Sequence, residues 1–243
     1  MAGGFMPGKR VAAAVLCLLA GFAAGYGWRG GVSRPKALPI GAPTEAPAGP
    51  EWINLFDAAH AGGWKNTIDD KDIFEIKDEI LHIYGVTLTP LRYAGYVAEQ
   101  FEDFDLHVEF KVAPGANSGM FLRMQPGNPD LRGFELQVAD DHGIAPNKNS
   151  TGAVYDVVTP MFNMSLPAGE WNSFDVSVHG QKVIVVMNGW KIIDTDFAQM
   201  TMPIGKFPIP YANYPRSGII AFQDHGGEAW YRNLRVRPGQ SRK

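Results

Sequence analysis

One cysteine in 243 residues removes several chemistries at once. Cys17 has no second thiol for an internal disulfide or a thiolate metal site. It also lies in an N-terminal apolar stretch, so the rest of the chain cannot use a cysteine nucleophile. An excess of one charge is missing too. Lys and Arg number 22 against 25 Asp and Glu, a net charge of -3. No basic stripe of the kind a phosphate backbone requires is present, so nucleic acid is not an expected partner. Helical periodicity is scarce, no glycine-rich phosphate loop stands between a strand and a helix, and there is no serine elbow. These absences leave nucleotide binding and serine-hydrolase chemistry without support. His60, His82, His107 and His179 have no metal-like spacing among themselves and read as surface or core residues.

What the chain does have is turn chemistry and aromatic rings. With 28 Gly, 18 Pro and 12% aromatics, it favours many short strands joined by tight turns, because Gly and Pro fix turn geometry and aromatics suit half-buried pleated surfaces. At the N-terminus, Lys9 and Arg10 precede an apolar run over residues 11–28. That is the pattern of an export signal, expected either to be cleaved or to remain as an anchor, since the run approaches the roughly 17 residues of a short membrane span. Residues 1–29 are therefore read as signal or anchor, the protein as exported to periplasm or cell envelope, and membrane attachment as acting through residues 11–28. Residues 30–50 carry Pro35, Pro39, Pro43, Pro47 and Pro50 among Ala and Gly and read as an extended linker. One folded domain is expected over 51–237, followed by a disordered tail over 238–243.

Inside that domain, period-two alternation marks strands at 73–76, 80–83, 96–98, 104–112, 119–124, 134–138, 173–179, 182–187, 190–196, 218–224 and 229–237. Asn188-Gly189 joins two of them as a tight hairpin turn. Eleven short strands without long helices predict an all-β, two-sheet jelly-roll sandwich. Parity then sorts the faces. Phe134, Leu136 and Val138 oppose Glu135 and Gln137. Met120, Leu122 and Met124 oppose Gly119, Phe121 and Arg123. Leu106, Val108, Phe110 and Val112 oppose His107, Glu109 and Lys111. Gln223 shares a face with Ile219, Ala221 and His225. Arg123, Glu135, Gln137, Gln223 and His225 can thus line a concave face that recognises sugar hydroxyls, with Gly119 and Ala221 leaving room for a ligand. A solvated sheet exterior would show the same alternation.

In order, these strands and turns resemble the 3-keto-disaccharide hydrolase family. The resemblance is carried by Trp52-Ile53-Asn54-Leu55-Phe56-Asp57, Gly63-Trp64, Asn117-Ser118-Gly119, Glu135-Leu136-Gln137-Val138-Ala139-Asp140, Gly152-Ala153-Val154-Tyr155, Gly169-Glu170-Trp171-Asn172 and Arg232-Asn233-Leu234. It departs at Ala58 and Ala59, where a glycine is usual. It implies a concanavalin A-like sandwich and a substrate glycoside whose C3 hydroxyl has been oxidised to a ketone.

Ordinary glycoside hydrolysis uses two carboxyl groups, whereas a 3-keto sugar opens another route. The ketone acidifies the C2 proton, a base removes it, the C1 substituent leaves, and water adds back. One base and one electrophile suffice. Glu135 or His225 is expected as the base, with Arg123 facing the enolate oxygen, helped by Gln137 or a bound cation. Asn117, Gln137, Tyr155 and Gln223 are expected to bind substrate, Tyr155 alternatively packing the core. Asp140 and His142 could hold a divalent cation, or Asp140-Asp141-His142 could be an ordinary turn-forming loop. No cofactor beyond that cation is implied. Trp171 is expected to pack the sandwich, and Arg232 and Asn233 to make structural hydrogen bonds. The competing reading is a non-catalytic carbohydrate-binding module, which needs hydroxyl partners and a ring but no base.

Overall fold

A computed structural model describes residues 41–86, 88–126 and 133–239. The expectations for residues 1–29, for the first part of the 30–50 linker and for 240–243 lie outside the described residues. Among the described residues thirteen strands form two antiparallel sheets. The larger contains β1 (Ile53–Asn54), β3 (Phe74–Lys77), β4 (Ile80–Ile83), β6 (Phe104–Val112), β9 (Asn172–His179), β10 (Lys182–Met187), β11 (Trp190–Asp196) and β13 (Ala229–Pro238). Its order is β11-β10-β9-β6-β13-β4-β3, with β1 also pairing with β13. The smaller contains β2 (Trp64–Asn66), β5 (Arg92–Tyr96), β7 (Asn117–Met124), β8 (Phe134–Ala139) and β12 (Ile219–Asp224), in the order β2-β5-β12-β7-β8. The expected two-sheet sandwich is what the chain forms.

Alternation explains the packing. Leu106, Val108 and Phe110 from the larger sheet meet Met120, Leu136, Val138, Ile220 and Phe222 from the smaller one in a single buried core. At its centre the Phe222 and Tyr231 rings stack 3.9 Å apart. The Tyr231 hydroxyl is kept paired by Ser118 Oγ at 2.8 Å, as a buried polar tip requires. The Asn188-Gly189 turn has φ of 49° and 81°, the two positive angles that such a hairpin needs.

Four expectations change. The strand expected at 96–98 is instead Arg92–Tyr96. Gly95 looks like a break in the sequence, yet a side chain there would fall 2.6 Å from Thr67 Cγ2 and 2.8 Å from Ile219 Cδ1, so the strand itself demands glycine. Second, β7 carries a bulge. Its register with β12 shifts between Ile219 and Ala221, and Arg123 has φ of 55°. The extra residue inverts the alternation, so Met124 joins Tyr93, Phe121, Ile219 and Ala221 on the outer face, where Arg123 had been expected. Third, the linker reading fails for its last part. Thr44 donates from its backbone N–H to Ser173 Oγ at 2.8 Å and from Oγ1 to Asp175 at 2.6 Å, so this stretch is strapped to β9. Finally, Trp171 lies outside the core, half-buried under the guanidinium of Arg232, 4.0 Å from the ring centre.

Arg232 and Asn233 are structural hydrogen-bonders, as expected. They donate to the two oxygens of buried Glu109 at 2.8 and 2.6 Å. A second bulge, between Arg232 and Arg235, turns Asn233 to that face.

Candidate active site

Strand pairing sets the outer face of the five-stranded sheet. Glu135 stands beside Phe121, Phe121 beside Ala221, and Ala221 beside Gly95. About 7 Å further along the strands, Gln137 stands beside Gly119 and Gln223 beside Tyr93. Gly119 opens the floor between these rows. A Cβ at Gly119 would fall 2.3 Å from Glu135 Oε1, so the Glu135 carboxyl occupies space that only glycine leaves free.

This face is not a solvated exterior. Glu135, Gln137 and Gln223 are 9%, 5% and 4% exposed, because the connection between β11 and β12 folds over part of it. Phe207, Pro208, Tyr211 and Tyr214 from that connection face Leu91, Tyr93 and Phe121 across a cavity of about 230 Å³, into which Glu135, Gln223 and Lys206 also project. Rings hold the wall together: Tyr211 stacks on Tyr214 at 4.4 Å and meets Phe207 edge-on at 5.5 Å. Gln181 Nε2 donates to the Ala212 carbonyl at 2.7 Å. At the tip, Asp156 Oδ2 accepts from the Lys206 backbone N–H at 2.6 Å while Lys148 pairs with its other oxygen. The hydrogen bond from Lys148 holds the Asp156 carboxyl below its ordinary range, with burial opposing and the Lys206 N–H assisting. Burial pushes the Tyr211 hydroxyl well up, so it remains protonated at neutral pH.

Of the residues expected at the site, the structure puts Glu135 and Gln223 in the cavity. Asn117, Gln137 and His225 form a hydrogen-bonded chain beside it. Gln137 Nε2 stands 3.1 Å from Asn117 Oδ1, and Asn117 Nδ2 stands 2.8 Å from His225 Nδ1. Tyr155 is half-buried and runs alongside β8, its backbone N–H donating to the Glu135 carbonyl at 3.0 Å. The Lys206 ammonium sits 4.3 Å from the Tyr155 ring centre, which links Tyr155 to the cavity rim.

Arg123 is placed elsewhere. Beyond the bulge its Nε and Nη2 donate to the Glu102 carbonyl at 2.9 and 2.5 Å, and it is 3% exposed. Burial lowers the guanidinium to about 10, still a cation at neutral pH. It lines a separate, smaller recess with Arg216 and Gln181, behind the Tyr211 and Tyr214 wall. The cation site expected at Asp140 and His142 is also corrected. Asp140 Oδ2 accepts from the Gly115 N–H at 2.9 Å, and His142 Nδ1 bonds the Ser165 carbonyl at 2.6 Å. Among the described residues no group of three or more His, Cys, Asp or Glu side chains comes together as a cation would need.

Reasoning from sequence missed Tyr93, Lys206, Phe207, Tyr211 and Tyr214. Tyr93 becomes legible once the strand is read over Arg92–Tyr96, where it shares parity with Gly95. The other four lie in a connection with no period, and nothing local marks them.

Residues 51–237 match the family model described as a 3-keto-alpha-glucoside-1,2-lyase-like domain. A 3-keto-disaccharide hydrolase of Bacteroides thetaiotaomicron is 28% identical over 225 residues, covering 76% of this chain and 78% of that protein. A solved structure of a candidate glycosyl hydrolase from Parabacteroides distasonis superposes with a TM-score of 0.66 at 25% identity, over 77% of this chain and 99% of that one. A second from the same organism gives 0.65 at 23% identity, over 81% and 100%, a likeness of fold alone.

Proposed function

The chain belongs to the 3-keto-alpha-glucoside-1,2-lyase-like domain family, and from that premise we propose that it is a hydrolase-like enzyme that cleaves glycosides bearing a ketone at C3. The observation that carries this reading is that Glu135 is the one carboxylate among the described residues lining the cavity. Direct hydrolysis asks for two carboxyl groups across the glycosidic bond; elimination from a 3-keto sugar asks for one base. Glu135 takes the C2 proton. The electron pair moves toward the C3 oxygen, where the amide of Gln223 and the ammonium of Lys206 are the donors at hand in place of Arg123. The C1–O bond then breaks with its electron pair on the departing oxygen. Water adds at C1 and C2 regains a proton, so the sum is hydrolysis. Tyr93, Phe121, Tyr211 and Tyr214 supply flat apolar surface for a ring and exclude water from the developing charge.

The test compares 3-keto-trehalose, 3-keto-sucrose and a 3-keto-glucoside with their unoxidised parents, using the purified protein. Release of sugar from the keto forms alone is expected. Glu135→Gln should lower turnover by about 100- to 10,000-fold. Saturable binding without turnover would instead make the protein a carbohydrate-binding module. Export belongs to the same proposal, resting on Lys9, Arg10 and the apolar run over 11–28; fractionation of expressing cells, with recovery in the cytosol as the contrary result, tests it.

A further inference from the structure

Elimination also needs a proton for the departing oxygen, and the amide chain beside the cavity decides which group can give it. The bond lengths name the partners, while the orientation of each amide follows from the network. Turning Asn117 alone would set its NH2 against the NH2 of Gln137, two donors face to face. Turning both amides would place the Gln137 NH2 where its Oε1 now lies, buried with no partner. A buried donor without an acceptor is costlier than a carbonyl with spare lone pairs. Gln137 therefore donates to Asn117, Asn117 donates to His225, and Nδ1 of His225 is an acceptor. In the neutral ring the proton must then sit on Nε2.

We infer that Gln137 and Asn117 hold His225 as its Nε2–H tautomer, so that His225 is the proton donor of the reaction and not its base. The tautomer rests on geometry; the donor role rests on the elimination reading above. His225 lies just past the end of β12, in the bend that follows Asp224, and its bond to Asn117, the first residue of β7, brings it to the end of the floor beyond Gly119. As the C1–O bond breaks, Nε2 gives its proton to the leaving oxygen, and the negative charge passes to the ring as an imidazolate whose Nδ1 accepts from Asn117. In the second step water bonds C1 through its oxygen, one water proton returns to Nε2, and Glu135 gives C2 back its proton. Asn117 and Gln137 are positioning residues.

Long-range 1H–15N spectra of the labelled protein, recorded where the ring is neutral and assigned with His225→Gln, read the tautomer directly. A protonated Nε2 and a bare Nδ1 are expected; the reverse pattern overturns the inference. Asn117→Asp replaces the donor beside Nδ1 with an acceptor and should move the proton to Nδ1. Turnover of a 3-keto-disaccharide, whose alkoxide must be protonated, should then fall about 100-fold. A 3-keto-glucoside of an acidic phenol, which leaves without help, should fall less than fivefold on the scale of that loss. Equal losses on both substrates, or none on either, would overturn the donor role. Absence of turnover by the unaltered protein on every keto substrate would sink the elimination reading and the donor role with it, while the spectra would still decide the tautomer.

Discussion

At the scale of single residues, Gly119 controls the most. The three atoms nearest to a Cβ there all belong to the Glu135 side chain, Oε1 first at 2.3 Å. Gly119→Ala should therefore leave the strand intact, and even favour it slightly, since glycine weakens a strand interior. The Glu135 carboxyl must move off the floor, and a misplacement of about 1 Å can cost about 100-fold in rate. The expected result is a melting temperature within a few degrees of the original and turnover lowered about 100-fold. A loss of stability with turnover retained would show that Glu135 does not act from where it lies. Asp156 gives a prediction in pH. Its carboxyl is lowered from an ordinary 3.8, so the charged form favours the folded state. That contribution is complete above about pH 4 to 5 and is lost as pH falls through the lowered value. The tip at Lys206 should loosen in that acid window, seen as faster amide exchange there than in β7 or β12. Asp156→Asn should move the loosening to neutral pH.

At the scale of elements, bulges decide where side chains go. Arg123 had every mark of an outward residue by alternation, and its φ of 55° sends its guanidinium to the Glu102 carbonyl. Arg123→Ala would leave that carbonyl short of its donors, at a cost of about 1–3 kcal/mol, or some 2–4 °C in melting temperature for each kcal/mol. The KM and kcat of the folded variant should stay within about threefold of the original, well short of the loss expected of a catalytic group. The same contrast shows what the sequence could tell. Uninterrupted alternation places Glu135 and Gln137 opposite Phe134, Leu136 and Val138 correctly, and Gln223 opposite Ile220 and Phe222. A single inserted residue leaves no trace in that pattern, so Met124 and Arg123 exchange roles unseen. Asp140 and His142 look like ligands because carboxylates and imidazole are written into them, but their local bonds to Gly115 and Ser165 are tertiary facts.

At the scale of the whole molecule, the two outer faces have different fates. On the larger sheet, Thr44 and Ser173 close over Asp175, whose other oxygen bonds Nδ1 of fully buried His107 at 2.7 Å. Thr44→Val should remove a bond to a charged group worth about 1.5–3 kcal/mol and lower the melting temperature without altering turnover, since among the described residues none on that face lines the cavity. The smaller sheet carries the cavity on its outer face, and there the two halves of that cavity differ in kind. Its floor is fixed by hydrogen bonds of the ladder, β7 holding Glu135 and Gln137 of β8 on one side and Gln223 of β12 on the other. Its wall, Lys206 to Tyr214, belongs to a connection between sheets and is tied down at a few points such as Asp156 and Gln181. Floor and wall are thereby uncoupled: on the proposed reading, a connection of another length would reshape the wall around a different leaving group while Glu135 stayed where the sheet puts it.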